Sequence, residues 1–379
     1  MHSLQGMEPW LAAMFAADEA EARGDAHEAL SIIASRRLDP YGEPFWRPWR
    51  VTRLDQLVTF GPILPGWVTS RWILDQAQSA VHVDRRGVAT KAQEVAIRLR
   101  GGRQTLRGVD ELDRRARVMD RDWVYRQVLL YELGGLDHFL RHQATPDLVV
   151  GADRIHEWAA TPMGGFELIA GDSRTTTWRD LASGAERRGP NIGSAALNEQ
   201  GDHVIGRLVP IEDGHLFETQ PLTVPPDVAR EVAERPGDWL AILESALRAP
   251  GSDELQTHGL HYQCFVSDVP PSVVPLVLAE FAAARISTTD IDSFVEDLSA
   301  AVITAGRLLV DDVRGPRPRG AVDIWPCLGA ALLMPDILGG LVESVGSAES
   351  GLLAELATRL AEPAATVCRE LVEEARGAA

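Results

Sequence analysis

Lysine is almost missing from this chain: of 37 basic side chains only Lys91 is a lysine, and arginine supplies the rest. Schiff-base chemistry would have to run through that one residue, and the bias reads as GC-rich coding. Cysteine is scarce as well. Cys264, Cys327 and Cys368 are odd in number, widely spaced and form no CxxC or CxC pair. That argues against a disulfide framework and a cysteine-based zinc site, and predicts buried free thiols in a reducing cytoplasm. No apolar run is clean enough to span a membrane. The longest, Ile324 to Val342, is interrupted by Pro326, Pro335 and Asp336, and predicts a buried helix pair. The N-terminal stretch has no basic region followed by an apolar run, since Asp18, Glu19 and Glu21 follow closely, so it does not read as a signal peptide. There is no GxxxxGK[ST], no GxGxxG after a strand, no GxSxG and no kinase motif set. Strands and helices do not alternate, which disfavours nucleotide-binding parallel-sheet folds. Positive charge is in deficit, with a net charge of −18, which disfavours non-specific attraction to phosphate backbones and anionic membranes.

What is present suits a globular protein of two or three domains: 379 residues, 45% hydrophobic and 24% charged. Apolar residues recur at helical spacing through most of the chain. Between 164 and 226 the pattern changes to short apolar runs punctuated by Gly, Asp, Asn and Pro. Strands are predicted at 166–170, 175–180, 193–197, 203–211 and 215–223, with Asp172-Ser173, Ser183-Gly184, Glu199-Gln200-Gly201-Asp202 and Glu212-Asp213-Gly214 as turns. Pro225-Pro226 ends this unit, and Asp227 is placed to cap the next helix. The expected fold is α+β and predominantly helical: two helical blocks separated by a small five-stranded antiparallel β barrel or bent sheet. The expected domains are an N-terminal helical domain over 1–160, a small β domain over 164–226 and an acidic helical domain over 227–379. The last holds 24 acids against 11 arginines.

Residues 8–38 predict a helical hairpin. Trp10, Leu11, Met14 and Phe15 form one apolar stripe, Gly24-Asp25 breaks the run, and Ala29, Leu30, Ile32 and Ile33 line a second helix. The string Ala20-Glu21-Ala22-Arg23-Gly24-Asp25-Ala26-His27-Glu28-Ala29-Leu30, closed by Leu38-Asp39-Pro40, resembles a tetratricopeptide repeat. The resemblance covers about 30 residues and has no second copy, so it implies a helix pair built to pack on other helices. A strand followed by TTTWRDLASGAE and then GDHVIGRLVPIEDGHLFETQPLTVP resembles a β module of uncharacterised bacterial proteins, some of which carry a Cys-rich zinc tail of the SEC-C type. That tail is not in this sequence, so the resemblance implies the fold and carries over no catalytic residue.

Candidate functional residues fall in four places. Residues 41–80 interleave Phe45, Trp46, Trp49, Trp67 and Trp72 with Arg47, Arg50, Arg53 and Arg71, among four prolines. The prolines delay a helix until about Val68, capped by Thr69 or Ser70. Trp and Arg are enriched at binding hot spots and stack on one another, which makes Trp46, Trp49, Arg50, Trp67, Arg71 and Trp72 the candidate partner-binding set. The same pattern also suits indoles that pack a loop onto the helical body under arginine stems. Second, residues 98–126 hold nine arginines against five acids, the one strip suited to nucleic acid, although the alternating charges also suit a solvated helix face. Third, His138 and His142 are four apart on a predicted helix 123–143, with Glu132 nearby, but Phe139 stands where HExxH needs glutamate. Fourth, His258 and His261 near Cys264 have a spacing that suits one helical face, but Gly259 and the run that follows argue for a loop or strand, and the acids at 290–297 and 311–312 lack the Gly-containing loop of a cation site.

The expectation is a non-catalytic protein-interaction or scaffold protein of a bacterial cytoplasm. Its partner would be a protein, a homo-oligomer remaining open, with no metal, cofactor, membrane or nucleic acid called for. The alternatives are a metal-dependent hydrolase using His138, His142 and Glu132, and a nucleic-acid-associated protein using the 98–126 strip.

Overall fold

The computed structural model describes residues 8–36, 64–99, 122–171, 175–190, 200–219, 221–249, 345–360 and 362–377, with isolated positions between 38 and 61, at 101–102, 118–119 and 198, and between 302 and 342. The expected strand 193–197, the His258–Cys264 motif, the acids at 290–297 and 311–312, and most of the arginine strip lie outside the described residues.

Helices α1 (Glu8–Ala22) and α2 (Ala26–Ala34) form the expected hairpin. Gly24 turns the chain at φ +80°, a conformation that costs glycine little. Asp25 then accepts the Glu28 amide as N-cap. The long helix α3 (Gly66–Asp84) follows, then α4 (Arg86–Leu99). α3 starts at Gly66 behind Pro65, with no side-chain cap. Ser70, expected as a cap, instead donates to the carbonyl of Asp153 at 2.8 Å.

The expected single helix 123–143 is broken into three. α5 (Trp123–Gln127) runs into a five-residue π-helix, Val128–Glu132, and Gly134 in the left-handed region separates it from α6 (Gly135–His142). The apolar periodicity is continuous through this stretch, so periodicity alone does not reveal the break. α7 (Pro146–Val150) and α8 (Ile155–Ala160) lead into the β unit.

That unit has seven strands among the described residues: β1 (Gly164–Gly171), β2 (Thr175–Asp180), β3 (Glu186–Pro190), β4 (His203–Gly206), β5 (Leu208–Ile211), β6 (Gly214–Phe217) and β7 (Leu222–Thr223). Five make one antiparallel sheet in the order β3-β2-β1-β4-β7, and β5-β6 form a separate hairpin. The mixed α+β class therefore stands, but the sheet is not closed into a barrel. β3, Glu-Arg-Arg-Gly-Pro, lies outside the predicted strands. Its own apolar alternation is weak, and it is a strand because β2 pairs with it from Thr175↔Pro190 to Arg179↔Glu186. The expected strand 203–211 is split at Arg207, and 215–223 is split between β6 and β7. β1 bulges between Leu168 and Ala170, which bends the sheet. The β5-β6 hairpin lies against β3 so closely that a Cβ on Gly189 would meet the carbonyl oxygen of His215 at 1.6 Å.

Phe166, Leu168, Trp178, Val204, Leu208 and Phe217 form the small core inside the β unit. The Phe217 ring stands edge-on to Phe166 and Trp178 at 5.4 and 5.0 Å. Helix α9 (Pro226–Glu234) lies across β1, where a Cβ on Gly165 would meet the carbonyl oxygen of Ala229 at 1.8 Å. Asp227 sits in the first turn of α9 and makes no cap hydrogen bond; Pro225 holds the cap position. α10 (Trp239–Arg248) continues this layer. With α4, α5 and the sheet it shares a core that includes Trp123, Tyr125, Ile205, Leu222, Val232 and Trp239. The region after 226 is thus not separate from the sheet at its start. A larger core joins Ala17, Trp46, Trp72 and Phe139 to Val209 and Leu216 of the hairpin, and to Leu356, Cys368 and Leu371 of α11 (Ser350–Arg359) and α12 (Ala364–Gly377). No described helix is long and apolar enough to cross a membrane.

Candidate functional site

The tryptophan–arginine set from 46 to 72 is brought together in part, and it faces inward. Trp46, Trp67 and Trp72 retain 7%, 5% and 4% of their exposure; Trp49 lies outside the described residues. Each indole is used. Trp46 donates to the carbonyl of Arg36 at 2.7 Å, and Trp72 donates to Glu21 at 2.9 Å. Arg50 packs over Trp46, 5.3 Å from its centroid, and bridges Glu21 and Asp18 at 2.5 and 2.6 Å. Arg71 packs over Trp67 at 5.0 Å and donates to the carbonyl of Phe217 at 3.0 Å. These residues therefore fasten α1 and the β hairpin onto α3. Burial raises Asp18 and Glu21 above the ordinary carboxylate range, although Arg50 pulls both down.

A second polar cluster, which sequence reasoning missed, lies beneath the π-helix. Arg207 is buried at the break between β4 and β5. Its guanidinium donates to Gln127 at 3.0 Å, to the carbonyl of Thr161, and to Glu132 at 2.6 Å. It also covers the Tyr131 ring at 4.1 Å. Glu132 accepts a second hydrogen bond from the indole of Trp239 at 2.8 Å. Gln127 donates onward to Glu218, which is 1% exposed. Arg126 reaches Asp75 at 3.1 Å and faces the far oxygen of Glu218 at 3.9 Å. Five charged side chains, one amide, an indole and a phenol thus connect α3, α5, the π-helix, the β hairpin and α10. Three acids face two arginines.

The π-helix makes this convergence. Its extra residue per turn rotates Tyr131 and Glu132 relative to an α-helical path, and such turns recur at functional sites. The Tyr131 hydroxyl, Oε2 of Glu218 and Nε of Arg126 are buried without a hydrogen-bond partner. Burial, reinforced by Glu218, raises the Tyr131 phenol well above its ordinary value, against the pull of Arg207 and Arg126. It therefore stays protonated near neutral pH. Burial alone would lower Arg126, but Asp75 and Glu218 raise it instead. Chemically the cluster is a clamp: two guanidinium groups are shared among three carboxylates, and Glu132 accepts from both Arg207 and Trp239. The sequence signal that could have found it is a lone arginine inside the apolar run Val204 to Ile211.

The remaining candidates are dispersed. His138 and His142 lie tilted against each other on α6 with ring centroids 4.7 Å apart, but Glu132 is engaged by Arg207 and Trp239. No group of three or more metal-capable side chains occurs among the described residues, so the trio of the alternative hydrolase reading is not assembled. Slight burial, Arg85 and His142 lower His138. From the arginine strip, Arg98 faces Glu244 at 3.6 Å and Arg126 is committed to Asp75. No protein-family model, curated protein or solved structure matches the chain.

Proposed function

We propose that the protein is a non-catalytic interaction or scaffold protein, in which buried ion pairs lock helices and sheet together and the surface does the work. The observation that carries this reading is the state of its buried ionisable groups. In the clamp beneath the π-helix three acids are set against two arginines and the phenol is held protonated. In the cluster around Arg50 the two acids share one guanidinium with an indole. A general acid or base must also touch its substrate; Glu21 and the Tyr131 hydroxyl are buried, and Arg50 and the Trp72 indole already occupy Glu21. Support also comes from the hairpin α1–α2, whose likeness to a tetratricopeptide repeat is that of an element built for packing. The β unit is read as a small open barrel in which the β5-β6 hairpin folds against β3 without joining its sheet, and the arginine-rich, cysteine-poor composition as that of a bacterial cytoplasmic protein.

The test is quantitative affinity capture of the tagged full-length chain from its own host, alongside metal analysis of the purified protein. A protein partner recovered at a fixed stoichiometry supports the reading. A stoichiometric transition metal that is lost on His138→Ala would return the hydrolase reading instead.

A further inference from the structure

Helix α1 is apolar on more than one side. Residues 10–17, Trp-Leu-Ala-Ala-Met-Phe-Ala-Ala, contain no polar side chain. Ala13 and Ala17 face the core. Leu11 and Phe15, one helical turn apart, point outward at 38% and 57% exposure, and Leu38 beside them is 53% exposed. Leu38 is tied to this helix by the Trp10 indole, which donates to its carbonyl at 2.8 Å. Of the five large apolar side chains left exposed among the described residues, three belong to this hairpin. A helical stretch apolar all round belongs in an interior, and the outer row of α1 has no cover among the described residues.

Charge selects the cover. The next residue along the row is Glu19, exposed and without an ion pair among the described residues, whereas Arg23, a further turn on, is held by Glu28 at 2.6 Å. Among the described residues the acidic end of the row is therefore unneutralised, on a chain with a net charge of −18. A second copy would bring acid against acid.

We propose that the outer face of α1, centred on Leu11 and Phe15, docks an amphipathic helix of a different protein, with apolar residues one turn apart and an arginine- or lysine-rich rim next to Glu19. This rests on the interaction reading above. Two designed helical peptides of about 15 residues, long enough for four turns, carry the same leucine row and either an arginine or a glutamate rim. Binding to the full-length protein is read by fluorescence anisotropy. The arginine-rimmed peptide is expected to bind at least about tenfold tighter. Phe15→Asp is expected to remove that binding with no change in the thermal melt, and Glu19→Lys to reverse the peptide preference. Equal or absent binding of both peptides overturns the proposal. So does protection of Phe15 from hydroxyl radicals in the dilute free protein, which would place a segment of this chain on the face. A Phe15-dependent dimer in sedimentation would put a second copy there and overturn it too. If Phe15→Asp still captures the stoichiometric host partner, the docking site falls while the interaction reading survives.

Discussion

Replacing Arg207 with methionine tests whether the clamp beneath the π-helix holds the fold together. Methionine keeps most of the stem volume, so the cavity contribution is small and the polar loss dominates. Three acceptors lose their donor: the Thr161 carbonyl, Gln127 and Glu132. Each buried acceptor left unpaired costs about 1–3 kcal/mol, and the packing over Tyr131 adds about 1 kcal/mol. Glu132 lies toward the low end, because its side chain is 33% exposed and it keeps the Trp239 indole. The expected loss is about 4–8 kcal/mol, at or above the range of about 3–5 kcal/mol for breaking a buried pair from one side. In a protein of this size, with an unfolding entropy of about 0.8 kcal/mol/K, that lowers Tm by roughly 5–10 °C.

Urea unfolding followed by circular dichroism and tryptophan emission measures it. Glu132→Gln is the control: glutamine still accepts from Trp239 and Arg207, so it should cost about 1 kcal/mol or less. Arg207→Lys keeps the charge but loses the forked geometry, and should recover only part of the loss. If Arg207→Met unfolds within about 1 kcal/mol of the parent, the network adds little net stability and the reasoning fails.

Legibility in the sequence followed the range of the interactions. The α1–α2 hairpin was readable because its signals are local: Gly24 turns the chain and Asp25 caps Glu28. The β5-β6 turn was readable for the same reason, with Gly214 at φ +121°. β3 was not, because its pairing with β2 makes it a strand. Nor was the π-helix, whose partners Arg207, Glu218 and Trp239 lie 75 or more residues away from the groups they hold. The tryptophan–arginine set shows a different limit. Trp and Arg stack and donate equally well in a core and at an interface, so composition found a real cluster around Trp46 and Trp72 without telling which way it faces. The outer row of α1 was visible as Leu11 and Phe15, but reading it as part of one stripe hid that the other residues of the run already fill the core.

Three further outcomes are expected. Trp72→Ala should destabilise the protein by about 3–5 kcal/mol in urea unfolding, because the indole is 4% exposed and its loss removes a donor from Glu21; unchanged unfolding would return that indole to the surface. Gly189→Ala should displace the β5-β6 hairpin from β3, read as a lower Tm with a faster-exchanging hairpin, since its Cβ would overlap the backbone oxygen of His215; parental Tm and exchange would show that the two strands are not in contact. The last concerns pH. Burial raises Glu21 above 4.5 in the folded chain despite Arg50 and the Trp72 indole. A carboxyl with a raised folded pKa favours folding while it is protonated, below its unfolded value, and that contribution is lost as pH rises through the folded pKa. In Glu21→Gln the titration is gone, while the amide oxygen can still accept from Trp72. The stability of the parent relative to Glu21→Gln should therefore fall as pH climbs from about 4.5 toward neutrality. A difference that grows over the same interval would mean that Arg50 outweighs burial, and that this buried pair stabilises the charged form of Glu21.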